Sequence, residues 1–118
     1  MKSLIVIEAG VCGFVTRVHA DSEDSQNVTF RIPTSCEKVK KLAEALVAKG
    51  PVDAYAEIGA GHDGVVLGTA REHLKGCCAG CVVPSGIFKA MQVAAGLALP
   101  KDIAIRISKP DEGGTREA

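Results

Sequence analysis

The sequence predicts a single-domain α+β protein with a mixed or antiparallel sheet of about four strands and about three helices packed on one face. Apolar residues follow the strand period up to residue 32 and the helical period between residues 37 and 97. The length, 118 residues, suits one hydrophobic core. The expected order is β-β-β-α-α-α-β, with the domain over residues 1–109 and a flexible polar tail over 110–118.

Three strands are expected at the start of the chain. Residues 4–9 form an aliphatic run that only Glu8 interrupts, which is typical of a strand largely buried on both faces. Residues 14–20 are rich in β-branched side chains, and apolar and polar residues alternate over 28–32. The polar residues 21–27 between them predict a hairpin loop with a solvated acidic tip.

The first helix is expected directly after the third strand. Thr34 and Glu37 match a capping box, with Thr34 as the N-cap, and Gly50 would end the helix. A second, shorter helix is expected over residues 65–74. The pattern over residues 52–64 favours neither a helix nor a strand.

A third helix and a last strand complete the predicted fold. Residues 85–97 carry apolar side chains at helical spacing, and Pro100 would end this helix. Beyond it, Ile103, Ile105 and Ile107 alternate with smaller or charged residues, which predicts a strand.

Composition and charge exclude several classes of partner. Lys and Arg together number 14, as do Asp and Glu, and no basic block stands out, so we expect no nucleic-acid partner. We also expect no membrane partner, because no apolar run approaches the roughly 20 residues of a spanning helix. Glu8 ends the N-terminal apolar tract too early for a secretory signal. These features predict a cytoplasmic protein.

The chemistry of this chain is expected at its cysteines, which are Cys12, Cys36, Cys77, Cys78 and Cys81. In a reducing compartment, five thiols indicate ligands or reactive groups rather than structural disulfides. Each cysteine falls at a junction between predicted elements, and thiolates form most readily in such loops beside helix N-termini.

The spacing of Cys78 and Cys81 allows both sulfurs to bind one metal ion or cluster, and Cys12 and Cys36 would complete a four-thiolate site. Cys77 is the uncertain fifth ligand, and it could replace Cys78. We favour an iron–sulfur cluster over zinc, because two ligands distant in sequence suit a larger cluster as well as a closed zinc site. The role would be electron transfer, cluster carriage or a structural site, with a redox or cluster-receiving protein as partner.

Two other functions stay open. Cys78 and Cys81 could form the exchanging pair of a thiol–disulfide redox protein or sensor. Alternatively, the Ala/Gly-rich helix around residues 90–96 could pack against a partner or a second copy, as an interaction module or homo-oligomer. If neither holds, Cys12 and Cys36 are small buried hydrophobic residues and the loop over 77–81 is incidental. The sequence alone assigns no catalytic residue.

A glycine-rich stretch over residues 59–64 resembles a phosphate-binding loop in its spacing only. It lacks the Lys-Ser/Thr pair, and no clear strand precedes it. We therefore expect a flexible loop, with small-anion binding as the minor alternative. His62 is expected to be exposed, and His73 to lie near a helix C-terminus, although it could orient or replace a thiolate.

Three stretches carry a resemblance to a known family. They are Gly-Cys-Cys-Ala-Gly-Cys-Val-Val-Pro at residues 76–84, the small-residue run over 92–102, and Glu-Ala-Gly-Val-Cys-Gly-Phe at 8–14. Together they resemble a family of short, uncharacterised cysteine-containing proteins of anaerobic bacteria and archaea. The resemblance implies no activity. It implies an anaerobic setting, which favours an oxygen-sensitive cluster.

Overall fold

The computed structural model describes residues 1–110. Its strands form one antiparallel sheet in the order β1-β2-β3-β4, and four α-helices accompany the sheet in a single α+β domain, so the predicted fold class is confirmed. The elements are β1 (Lys2–Glu8), β2 (Val15–Asp21), β3 (Asn27–Arg31), α1 (Glu37–Ala48), β4 (Val52–Asp53), α2 (Ala54–Ala60), α3 (Val65–His73) and α4 (Val83–Ala94), with 3-10 turns over Gly61–Asp63 and Gly76–Gly80.

Helices cover one face of the sheet, where α4 packs on β1 and β2 and α1 packs on β3. Burial therefore alternates along the strands: Thr16, Val18 and Ala20 of β2 are buried, whereas Leu4 and Val6 of β1 are 56% and 53% exposed. The prediction that residues 4–9 are buried on both faces is wrong. The prediction treated an aliphatic run as the sign of a strand covered on both faces, but within residues 1–110 no layer covers the second face of this sheet.

The loop between β2 and β3 is ordered by Asp24. Its Oδ1 accepts hydrogen bonds from the backbone N–H groups of Gln26 and Asn27, and its Oδ2 accepts one from the side chain of Asn27. The bonds from Asn27 and Gln26 lower the pKa of Asp24 to about 2. The acidic tip is thus exposed, as expected, and its carboxylate holds the turn.

Helix α1 starts two residues later than the capping box predicts. Cys36 is the N-cap, and its side chain makes no capping hydrogen bond. Thr34 instead remains part of the sheet region: it bridges to Thr16, and the two hydroxyl oxygens lie 2.6 Å apart. This pairing keeps the backbone of Thr34 extended beside β2. The helix therefore begins only after this bridge.

The segment that the sequence left unassigned contains the fourth strand and a short helix. Val52 is buried and pairs with Val28, which adds β4 to the sheet. Asp53 then caps α2, because its Oδ1 accepts hydrogen bonds from the N–H groups of Tyr55 and Ala56. Two residues of strand give too short a pattern for the strand period to show in the sequence.

Helix α3 is capped by a side chain from α2. The buried carboxylate of Glu57 accepts hydrogen bonds from the N–H groups of Val65 at 2.9 Å and Val66 at 2.6 Å. A Cβ at Gly64 would lie 2.8 Å from the Glu57 Oε2 atom. Glycine at position 64 therefore lets the carboxylate approach the helix N-terminus, where its negative charge is stabilised.

Helix α4 lies directly on β1 and runs antiparallel to it. The Ser3 hydroxyl donates to the Ala90 carbonyl at 2.8 Å, and at the other end Gly86 contacts Ile7. A Cβ at Gly86 would overlap the Ile7 Cδ1 atom and lie 3.0 Å from its Cγ1. The small residues of α4 therefore serve packing inside this chain, and the surface that a helix-based interaction module would use is buried.

The C-terminal end of α4 comes earlier than predicted. Gly96 has a φ of +76°, and a Schellman motif closes the helix: the N–H of Gly96 bonds to the Val93 carbonyl, and that of Leu97 to the Gln92 carbonyl. The prediction that Pro100 ends the helix is wrong, because the left-handed glycine stops it first.

The predicted last strand is also wrong. Residues 101–110 adopt no regular structure and are all exposed, and the fourth strand of the sheet is β4 instead. The alternation of Ile103, Ile105 and Ile107 is real, but within the described residues no neighbouring strand pairs with it. Apart from Pro110, the predicted tail lies outside the described residues.

One stretch, Gly76–Ala94, is long and apolar enough to cross a membrane by length and composition alone, with a mean hydropathy of 1.3. It combines the 3-10 turn with α4, whose Ile87, Ala90 and Met91 are fully buried. The helix belongs to the core of a globular domain, which is consistent with a soluble protein.

We expect Gly86→Ala to lower the free energy of unfolding by about 1–2 kcal/mol, because overpacking costs about 1–3 kcal/mol and better helix propensity offsets less than about 1 kcal/mol. Urea denaturation measures this loss. Gly68→Ala in α3 is the matched control, since its nearest atom, the His62 carbonyl oxygen, is 3.9 Å away. Ile7→Val removes the overlapping atom, so an equal loss in that background would contradict the proposed contact.

We expect Glu57→Ala to destabilise the fold by about 2 kcal/mol, because two N–H groups at the start of α3 lose their acceptors. Glu57→Gln keeps one acceptor oxygen and should cost less. Thermal and urea unfolding report both losses. Glu44→Ala, at an exposed position of α1, should stay within about 0.5 kcal/mol of the parent protein. A similar loss in all three variants would show that Glu57 is no cap.

Candidate functional site

All five cysteines are free thiols, and they differ in exposure. Cys12 and Cys77 are exposed, whereas Cys36, Cys78 and Cys81 are half-buried and pack against the hydrophobic core. The three half-buried thiols are thus held by surrounding side chains, while the other two face solvent. Each cysteine lies outside the regular strands and α-helices; Cys36, which the sequence places in the first turn of α1, is the N-cap instead.

The fold brings the β1–β2 hairpin to the start of α1. The N–H of Val15 donates to the Ser35 hydroxyl at 3.1 Å, and the N–H of Ser35 donates to the Val15 carbonyl at 3.2 Å. Cys12 lies in the hairpin loop just before Val15, and Cys36 follows Ser35. These two cysteines, 24 positions apart in the chain, therefore belong to neighbouring segments.

The 3-10 turn with the other three cysteines lies at the same end of the molecule. The Lys38 ammonium group of α1 donates to the Lys75 carbonyl at 3.5 Å, directly before this turn. Gly86, in the first half of α4, contacts Ile7 at the end of β1. The structure thus gathers the segments of all five cysteines at one end of the domain, which we call the thiol pole: Cys12, Cys36, Cys77, Cys78 and Cys81.

The cysteines of the thiol pole are not arranged as a complete metal-binding site. Within residues 1–110, no group of three or more His, Cys, Asp or Glu side chains is placed to hold a metal ion. The four-thiolate set of Cys12, Cys36, Cys78 and Cys81 is therefore not assembled in this conformation. Cys12 lies at the tip of an exposed hairpin loop, whereas Cys36 packs against the core, and sequence spacing could not show this difference.

A backbone turn joins Cys78 and Cys81. The N–H of Cys81 donates to the Cys78 carbonyl at 3.1 Å, which closes a turn around Ala79 and Gly80. A turn of this kind holds its terminal Cα atoms within about 7 Å. Disulfides join Cα atoms about 4.4–6.8 Å apart. The Cα separation of the pair is therefore close to the range that a disulfide needs.

This pair lies directly before the N-terminus of α4. The N-cap is Val82, whose apolar side chain makes no capping hydrogen bond. Pro84 in the first turn has no N–H to satisfy. The remaining N–H groups of this turn point out of the helix at the end nearest Cys81. Among the described residues, no side chain caps them. The local sequence thus combines two thiols, small neighbours and an uncapped helix end.

The glycine-rich stretch over residues 59–64 is the end of α2 followed by a 3-10 turn, so the prediction of a flexible loop is wrong. The carboxylate of Glu57 occupies the N-terminus of α3, where an anion would bind. His62 is exposed, as predicted. The Nδ1 atom of His73 lies 2.9 Å from the Thr69 carbonyl oxygen of its own helix. The hydrogen-bond partner of His73 is therefore a backbone carbonyl and not a cysteine thiol.

Sequence reasoning missed a groove of about 550 Å³ beside α3. The Lys49 ammonium group donates to the buried Thr69 hydroxyl at 2.7 Å inside it. Charges of both signs surround this contact, and the five cysteines lie outside the groove. No spacing in the sequence links Lys49 to Thr69, since they meet only when α1 packs on α3. The lining residues are Lys49, Asp63, Gly64, Val65, Gly68, Thr69, Arg71, Glu72 and Lys75.

Comparison with known proteins identifies a family for this chain. No curated protein and no solved structure matches the chain. A family model, described as a family of unknown function (DUF6951), matches residues 3–107, which include all five cysteines and the exposed isoleucines near the C-terminus. The family is uncharacterised, in agreement with the resemblance drawn from the sequence. The chain belongs to this family of unknown function, DUF6951.

Proposed function

We propose that the protein is a thiol–disulfide redox protein or sensor that uses the Cys78/Cys81 pair. The observation that carries this proposal is the hydrogen bond from the Cys81 N–H to the Cys78 carbonyl, which closes the turn between the two thiols. Both side chains are half-buried, so that the core fixes their positions while part of each remains accessible. A dithiol needs this combination of proximity and access.

The reaction is an exchange with a disulfide on a partner protein. A thiolate of the pair attacks one partner sulfur, a mixed disulfide forms, and the other partner sulfur leaves as a thiolate that takes up a proton. The second thiol of the pair then attacks the mixed disulfide and gives up its proton. The pair ends as a disulfide, the partner disulfide ends as two thiols, and two electrons have moved to the partner.

Exposure of the turn supports a protein as the partner. Cys77, Ala79 and Gly80 are exposed around the pair and carry small side chains, so another backbone can approach the sulfurs closely. This end of the domain also carries the exposed hairpin loop with Cys12. The partner we propose is a protein with an accessible disulfide or dithiol.

The segments of all five cysteines lie at the same end of the domain, which favours a second candidate, the metal or iron–sulfur site that the sequence predicts. Cys36, Cys78 and Cys81 belong to neighbouring segments, and the hairpin loop of Cys12 would have to close over them. Glycines at positive φ, Gly10 and Gly13, flank Cys12 in this loop. Four thiolates suit iron–sulfur clusters and zinc, and the resemblance to proteins of anaerobes favours the cluster.

We expect protein purified without oxygen to lose two of its five free thiols when it is equilibrated with a mild disulfide oxidant, because the Cys78/Cys81 turn closes readily into a disulfide. Thiol titration in a series of redox buffers measures the midpoint. Cys78→Ser and Cys81→Ser should each abolish the two-thiol step. Cys77→Ser, a change of the neighbouring exposed thiol, should retain it.

Peptide mapping locates the bond. Trypsin releases residues 76–89 as one peptide with Cys77, Cys78 and Cys81, whose mass falls by two hydrogens on oxidation. Retention of the step in Cys81→Ser, or its loss in Cys77→Ser, would contradict the assignment of the pair. Metal and sulfide analysis of the same preparation separates the candidates: iron and sulfide lost in both Cys12→Ser and Cys81→Ser would replace the redox pair with a cluster.

A further inference from the structure

The edge of the sheet at β1 is open. β1 is the first strand in the sheet order and pairs on one side with β2. In an antiparallel pair, every second residue directs its N–H and C=O groups away from its partner. Within residues 1–110, the outward groups of β1 have no strand beside them. This edge is seven residues long, Lys2–Glu8.

This edge also lacks the features that normally protect an edge strand. Natural proteins use short strands, proline, bulges or inward charges for this purpose. The opposite edge follows that rule, because β4 has two residues and comes after Pro51. The centre of β1 is instead Leu-Ile-Val-Ile, with charged residues only at Lys2 and Glu8. An edge of this kind normally has a partner strand.

The same chain carries an unpaired segment with the pattern of a strand. We call residues 101–110 the C-terminal arm. Ile103, Ile105 and Ile107 are 67%, 68% and 93% exposed. The backbone of the arm makes one hydrogen bond within the described residues, from Lys101 to Leu99 beside it, and none to the sheet. Three exposed isoleucines in alternation are typical of a strand whose partner is missing.

The arm extends away from its own domain. The described chain measures 53 × 29 × 24 Å, and its radius of gyration is 15.3 Å, against about 13 Å for a compact domain of this length. The Schellman turn at Gly96 and the following Pro100 send the chain outward after α4. Within residues 1–110, the arm therefore leaves its own β1 edge unpaired.

Charge and length agree with pairing between the arm and β1. In a parallel alignment, Asp102 would lie near Lys2 and Lys109 near Glu8, so that opposite charges are adjacent at both ends. An antiparallel alignment would bring Asp102 to Glu8 and Lys109 to Lys2. Both alignments place the three isoleucines on the helix-covered side of the sheet, where Ile5 and Ile7 contact the α4 side, so the end charges select the parallel one.

We propose that two copies of this chain exchange their C-terminal arms, each arm adding as a fifth, parallel strand to the open β1 edge of the other copy. The interface is isologous, because each copy supplies one arm and one edge, as in domain-swapped dimers. Strand addition satisfies the outward backbone groups of β1, and the isoleucines leave water. The interface uses none of the five cysteines, so it does not depend on the redox function.

Sedimentation equilibrium of the full chain in a non-metal-chelating reductant tests the arm exchange, since the reductant removes dimers linked by disulfides. We expect a dimer whose dissociation constant rises at least about tenfold in Ile105→Asp, because each arm loses the burial of one isoleucine. Ala104→Asp is the matched control: it adds the same charge one residue away, on the other side of the strand, and should change the constant less than about threefold. Hydrogen exchange should show protected amides over residues 103–108 in the dimer.

Each other outcome overturns the proposal. A monomer with protected arm amides would mean that the arm folds back onto its own β1. A monomer with rapidly exchanging arm amides would leave both the edge and the arm without a partner. A dimer that Ile105→Asp does not weaken, or that Ala104→Asp weakens equally, would place the interface elsewhere. Both variants lie outside the core, and their thermal unfolding checks that the domain remains folded.

Discussion

The close contact between α4 and β1 determines most of this architecture. It depends on Gly86, which has no side chain to separate the helix from Ile7. Because α4 runs antiparallel to β1, its start lies at the end of the strand from which the β1–β2 hairpin loop leaves. The turn with Cys78 and Cys81 directly precedes α4. The contact that builds the core therefore also places this turn at the thiol pole.

The sequence predicts the regular elements well where a single period extends over several turns or residues. The helices at α1 and α3 and the three N-terminal strands lie within about two residues of their expected positions. The errors occur where tertiary contacts decide. Thr34 stays in the sheet because Thr16 pairs with it, and Gly96 ends α4 because it adopts a left-handed conformation that spacing does not reveal.

The sequence predicts which residues belong to the candidate site better than it predicts their arrangement in space. Junction positions correctly indicated that the cysteines lie in loops, and the Cys-x-x-Cys spacing identified the pair that the turn closes. The sequence could not show whether all four proposed ligands meet, because the distance between Cys12 and Cys36 depends on the conformation of an exposed loop. Glu57 was invisible for a similar reason: its role as a cap exists only after α2 and α3 have folded against each other.

The order of the elements along the chain has a consequence for synthesis. β1 leaves the ribosome before α4, the helix that covers it, which follows about 80 residues later; at typical elongation rates this delay is roughly 4–16 s. During that time β1 and β2 can already pair as a hairpin, but their apolar side has no cover. The nascent chain therefore passes through a stage in which the apolar side of this hairpin is exposed to chaperones and to neighbouring nascent chains.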